Sequence, residues 1–169
     1  MRDLLAQCPG AQRALFRHYH IGGCASCGFQ PEETLEGVCA RNEGIDPQEA
    51  VARILESHEA DEAVFIAPTE AESNVRNRGA RLLDIRTREE FEAVHIPGSQ
   101  FMGQDFLQDV MGTWPKDTPI VIVDHTGSRC LDAAAYFTGH AFTNVRALRG
   151  GIDAWSCEVD PSLPRYTTE

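Results

Sequence analysis

Ile120-Val121-Ile122-Val123 is an unbroken run of β-branched apolar residues between Pro119 and Asp124. A strand that is apolar at every position must bury both of its faces, and that is the signature of a parallel sheet covered by helices on both sides. Leu82-Leu83-Asp84-Ile85 has the same character, and Asn144-Val145-Arg146-Ala147-Leu148 is a weaker third run. Helical patterns lie between them. Thr87 with Glu90 reads as a helix cap, Gln104 to Met111 as a second helix and Leu131 to Thr138 as a third. Alternation of this kind predicts an α/β domain with a parallel sheet flanked by helices.

The first half shows only helical periodicity. Ala11, Ala14, Leu15 and His18 recur at helical spacing until Gly22-Gly23 stops them. Pro31-Glu32-Glu33 reads as the start of a second helix, with Leu35, Val38 and Cys39 on one face. Asp46-Pro47-Gln48-Glu49 is a capping signal for a third, which carries Val51, Ile54 and Leu55. The expected organisation is a small all-α domain over 1–60, a linker over 61–68 and the α/β domain over 69–169. A helical unit of about 60 residues buries a modest core, and metals or partner contacts commonly reinforce such units.

Acidic residues outnumber basic ones eleven to five in residues 1–66 and fifteen to ten in the remainder, for a net charge of -11. With no basic stripe to neutralise phosphates, nucleic acid and anionic membrane surfaces are not expected partners. No apolar run approaches the roughly 20 residues needed to cross a bilayer, and MRDLLAQCPG lacks the features of a secretion signal. A cytoplasmic protein is therefore expected. In that setting the six cysteines read as free thiols, metal ligands or redox centres rather than disulfides.

The loop Asp124-His125-Thr126-Gly127-Ser128-Arg129 joins the most apolar strand to a helix. Such a junction is an anion cradle, because loop amides and the positive end of the helix dipole converge there, and Arg129 adds a charge. A thiolate in that cradle would be activated. An aspartate cannot carry sulfur.

Four ordered motifs carry a resemblance to the rhodanese domain: Leu83-Asp84-Ile85-Arg86 with Glu89-Glu90-Phe91, then His95-Ile96-Pro97-Gly98-Ser99, then the Asp124 to Arg129 loop, then Leu148-Arg149-Gly150-Gly151-Ile152-Asp153-Ala154-Trp155. The resemblance covers about residues 67–166, a whole domain of that kind, and implies a sulfurtransferase. In active members the loop reads Cys-x-x-Gly-x-Arg and its cysteine carries sulfane sulfur as a persulfide. Matching through Gly127 and Arg129 puts Asp124 at the cysteine position, where its charge would repel thiosulfate and other anionic donors.

Two readings of the loop follow. Either the carboxylate accepts hydrogen bonds from the surrounding amides, or Asp124, His125 and Ser128 form a polar pocket for a cation or a positively charged partner. Cys130 is expected to point away from the cradle and pack as a small hydrophobe, and Cys157 to be structural or on the surface. Asp84, Arg86, His95 and Trp155 are expected scaffold residues.

The second cluster of chemistry is His18-Tyr19-His20-Ile21-Gly22-Gly23-Cys24-Ala25-Ser26-Cys27-Gly28-Phe29. Cys24 and Cys27, two residues apart beside glycines, can point both sulfurs at one centre. Cys39 is a candidate third ligand, with Cys8, His18 or His20 to complete four. Zinc, iron or an iron-sulfur cluster would suit such a set. Residues 2–57 resemble small helical Cys-x-x-Cys domains of uncharacterised function joined to redox and sulfur-handling proteins, with a distant likeness to the N-terminal domain of di-iron cluster-repair proteins.

Three functions are consistent with these residues. The favoured one is a non-catalytic binding, sensing or accessory protein in sulfur or iron-sulfur metabolism, with thiol or metal chemistry at Cys24 and Cys27. The others are a sulfurtransferase using an N-terminal cysteine as persulfide carrier and a zinc-stabilised interaction module. A sulfur-carrier, iron-sulfur or redox protein is the expected partner.

Overall fold

A computed structural model of the chain describes residues 1–22, 28–42 and 44–167. They form two compact units, Met1–Ala63 and Val64–Glu169.

In the first unit the helices are α1 (Arg2–Gln7), α2 (Ala11–Tyr19), α3 (Leu35–Arg41) and α4 (Pro47–Val64). Their apolar faces meet in a core of Ala11, Ala14, Leu15, Ile21, Val38 and Ile54, to which Cys8 also belongs. Pro31-Glu32-Glu33 does not open α3. That helix starts at Leu35, because the Thr34 hydroxyl accepts the Gly37 amide at 3.1 Å and so supplies the cap. At α4 the cap is where the sequence puts it, with Asp46 Oδ1 accepting the Gln48 amide at 2.9 Å and Pro47 in the first turn.

The second unit continues with β1 (Phe65–Ile66), α5 (Pro68–Arg78), β2 (Arg81–Asp84), α6 (Arg88–Ala93), β3 (Gln100–Phe101), α7 (Gln104–Thr113), β4 (Ile120–Val123), α8 (Cys130–Gly139), β5 (Val145–Leu148) and α9 (Gly151–Glu158). Residues 61–68 are thus not an irregular linker. They hold the last turn of α4, then β1 and the start of α5, because Phe65 and Ile66 pair with Ala147 and Leu148 of β5.

The five strands run parallel in the order β1-β5-β4-β2-β3. Alternate side chains feed opposite faces, as the period of two requires. Leu82, Val121, Val123 and Leu148 pack with Ala71 of α5 and with Ile152 and Trp155 of α9. Leu83, Ile120, Ile122 and Ala147 pack with Val110 of α7 and with Cys130 and Phe137 of α8. This two-sided burial makes the α/β class explicit. The Thr87 cap of α6 is a complete capping box closed by Glu90.

Asp84 ends β2 opposite Val123 of β4, so the turns after both strands open on the same edge of the sheet. The carboxyl edge of a parallel sheet is where such folds place their sites. Among the described residues, no helix is long and apolar enough to cross a membrane.

Candidate functional site at the carboxyl edge of the sheet

The β4 to α8 loop closes on the side chain of its first residue. Asp124 is 1% exposed. Its Oδ1 accepts the Gly127 amide, and its Oδ2 accepts the Arg129 amide at 2.7 Å. The loop therefore turns its donors inward onto a buried carboxylate, an arrangement that amides at a helix N-terminus favour.

Backbone contacts from α9 hold the same loop from outside. The Asp124 carbonyl accepts the Ile152 amide at 2.9 Å, and the His125 carbonyl accepts that of Asp153 at 3.1 Å. Two glycines permit this approach. Gly151 sits at φ +59°, and a Cβ there would lie 2.5 Å from the carbonyl oxygens of both Asp124 and His125. Gly127 sits at φ +88°, where a Cβ would meet the Gly150 amide nitrogen at 2.9 Å. Only glycine fits both the torsion and the space.

The remaining loop side chains diverge. The His125 ring turns to the C-terminal segment, stacking on Tyr166 with centroids 4.3 Å apart while its Nε2 lies 2.9 Å from the Tyr166 carbonyl oxygen. Thr126, Ser128 and Arg129 are exposed, and the Thr126 hydroxyl donates to that of Ser128 at 3.4 Å. Asp124, His125 and Ser128 do not converge on a common centre. Where His125 and Thr126 meet Asp153, Arg165, Tyr166 and Thr167 there is an open cavity of about 380 Å³.

Cys130 opens α8 with its side chain fully buried, its Sγ donating to the Ile122 carbonyl at 3.3 Å. Burial, followed by the neighbouring Asp124 carboxylate, pushes this thiol far above its ordinary pKa, so it stays protonated and unreactive. Cys157 is exposed on α9.

The β2 turn is built differently. Asp84 and Arg86 are both buried and form a two-pronged ion pair, with Nη2 to Oδ2 at 2.6 Å and Nε to Oδ1 at 2.9 Å. The guanidinium also donates to the Tyr166 hydroxyl at 2.7 Å and the Val94 carbonyl at 2.8 Å. Tyr166 in turn donates to Glu90 at 2.8 Å. His95 stacks on Phe91 at 4.3 Å, with Nδ1 against the Phe91 carbonyl, and Trp155 lies in the core. The scaffold roles expected of these residues match their positions. Arg165 and Tyr166 carry no motif in the sequence, and Asp153 stands in the Leu148 to Trp155 motif with no role assigned to it there. Their contribution arises from contacts spanning up to 80 residues.

In the helical unit, Cys24 and Cys27 lie outside the described residues. Cys8 and Cys39 are buried, and burial, then Asp46, raises the Cys39 pKa. His20 caps α2 in a left-handed conformation, and His18 is exposed in the last turn of that helix. Among the described residues no group of three or more metal-ligating side chains comes together.

The model of the rhodanese-like domain matches residues 67–158, more than half of the chain. The chain is 33% identical over 88 residues to the thiosulfate sulfurtransferase GlpE of Pseudomonas savastanoi, covering 52% of this chain and 83% of that one. It is 36% identical over 90 residues to GlpE of Pseudomonas aeruginosa, covering 53% and 81%. An adenylyltransferase and sulfurtransferase of Candida albicans, UBA4, is 27% identical over 152 residues, 85% of this chain but 34% of that protein. The rhodanese-like domain from Anabaena sp superposes with a TM-score of 0.51 at 18% identity, over 63% of this chain and 87% of that one. Reduced CoADR-RHD of Bacillus anthracis superposes at 0.53 and 21% identity, over 72% and 21%. With a parallel sheet of matching fold, and a loop, arginine turn and paired glycines inside the matched span, the chain belongs to the rhodanese-like domain family.

Proposed function

We propose that this chain is a rhodanese-like protein whose β4 loop does not carry sulfur. It would serve as a binding, sensing or accessory protein in sulfur or iron-sulfur metabolism, acting in the cytoplasm on a sulfur-carrier, iron-sulfur or redox protein. One observation carries the reading. The Asp124 carboxylate, at the position matched to the family's cysteine, takes the Gly127 and Arg129 amides for itself. Those donors are then not free for an incoming anion, and a carboxylate forms no persulfide. Cys130 does not substitute, because it is buried and held protonated.

Thiol or metal chemistry is assigned to Cys24 and Cys27, from the spacing of the two cysteines beside glycines. Zinc, iron or an iron-sulfur cluster would be the guest. Cys39 and Cys8 are the further sulfur donors of that unit, and both are buried.

The test is thiosulfate:cyanide sulfurtransferase turnover of the full chain beside Asp124→Cys. The expected result is negligible turnover for the native protein and measurable persulfide formation in the variant, whose thiolate would receive the amides now held by Asp124. Robust native turnover that is lost on replacing Cys24 or Cys27 would overturn the proposal in favour of an N-terminal persulfide carrier. Metal and sulfide analysis of protein prepared without oxygen decides the guest.

A further inference from the structure

The family match ends at residue 158, yet the segment that follows is tied to α9 and, through Tyr166, to the loop. Residues 161–167 have no regular secondary structure. They are tied down in three places. Near their start, the Asp160 amide donates to the Trp155 carbonyl at 3.1 Å, and the Ser156 hydroxyl donates to the Leu163 carbonyl at 2.6 Å. In the middle, Arg165 grips Asp153 with two bonds of 2.6 and 2.8 Å. At the end, Tyr166 stacks on His125 and sends its hydroxyl between Arg86 and Glu90.

These contacts close a circuit. The His125 carbonyl is held by the Asp153 amide, the Asp153 carboxylate by Arg165, and the carbonyl of the next residue, Tyr166, lies against the His125 ring. The circuit clamps the residue next to Asp124 at both its backbone and its side chain. It also joins the turn after β4 to the turn after β2 through one tyrosine.

We infer that residues 160–167 are a latch on the β4 loop, keeping Asp124 folded onto the Gly127 and Arg129 amides, and that its release frees the loop to open. The contacts are of the kind that yields first. The Arg165–Asp153 pair is solvent-exposed, Pro164 and Thr167 are exposed, and only Leu163 and Tyr166 lean on the core. Segments with few buried apolar contacts open locally at far lower free energy than a central sheet. The sheet behind the loop is fully buried at Leu83, Ile122 and Val123. Latch and sheet are therefore separable in stability. This inference does not depend on whether the loop carries sulfur.

Amide hydrogen exchange of the full chain tests it. In Tyr166→Ala, exchange at the Gly127 and Arg129 amides should quicken by roughly tenfold or more, with Val121 and Ile122 changed by less than about twofold. In Arg165→Ala, which leaves the core untouched, the same two loop amides should quicken selectively by about two- to fivefold. Loop exchange unchanged in both variants overturns the latch. A uniform rise across loop and sheet in Arg165→Ala also overturns it, because the segment would then be part of the fold's cooperative core.

Discussion

Two aspartates end neighbouring strands of one sheet, and the fold neutralises them in opposite ways. Asp84, the last residue of β2, faces a guanidinium, whereas Asp124, directly after β4, accepts two backbone amides. Both carboxylates are essentially inaccessible, at 0% and 1% exposure. The difference lies in what the partner does next. Arg86 has donors left over after binding Asp84 and spends them on Tyr166 and Val94, so the β2 turn becomes a junction that ties α6 and the C-terminal segment to the sheet. The amides around Asp124 have one proton each, and the carboxylate uses them within the loop. A turn of the first kind builds scaffold. One of the second kind is an anion cradle already filled by its own chain.

Removing the carboxylate of the β2 turn is the harshest way to break this contrast. Asp84→Ala leaves a buried guanidinium without its counter-charge and should cost about 3–5 kcal/mol, read as a fall in the denaturation midpoint. At the β4 turn the sensitive point is the contact with α9. Gly151→Ala adds a Cβ 2.5 Å from two carbonyl oxygens at a left-handed position, and should cost about 2–4 kcal/mol in the same measurement. Asp124→Ala is milder. It strands one buried amide, that of Gly127, at about 1–3 kcal/mol, while the Arg129 amide is only part-buried.

Acid should then separate the two turns with the smallest effect. Burial raises the Glu90 pKa, but hydrogen bonds from Thr87 and Tyr166 outweigh it and bring the value below normal. Asp153 is lowered by the Arg165 hydrogen bonds. Carboxyls with depressed pKa values support the fold fully above the ordinary range, near pH 4–4.5, and lose that support as pH falls through their folded values. The Tyr166 to Glu90 and Arg165 to Asp153 contacts should therefore survive unchanged from pH 7 to about 5 and loosen only below about 4. NMR of the Tyr166 ring protons and the Arg165 guanidinium would follow them. Loosening above pH 5 would mean that these carboxyls do not hold the segment.

What the sequence disclosed follows from burial and range. Leu82 to Asp84 and Ile120 to Val123 were legible as strands because two-sided burial leaves an apolar run. Phe65–Ile66 and Gln100–Phe101 were not, since a two-residue edge strand leaves too few residues for a period to show. The Thr87 cap was legible because a capping box is local. Pro31 is a weaker start signal than Thr34, whose hydroxyl caps α3. The loop announced itself at Asp124, Gly127 and Arg129, but the inward turn of the carboxylate depends on α9 pressing Ile152 and Asp153 against it, and no spacing within the loop encodes that. Tyr166 acts on His125 and Arg86 from 41 and 80 residues away, beyond the reach of any local pattern.

The most direct measurement is where sulfur goes when the native chain meets thiosulfate. After incubation, peptide mass spectrometry should find no added sulfur on Cys130 or elsewhere in residues 64–167, and Asp124→Cys should gain it at position 124. A persulfide on Cys130 of the native chain would contradict the filled cradle, because that thiol would have to be both reachable and ionised.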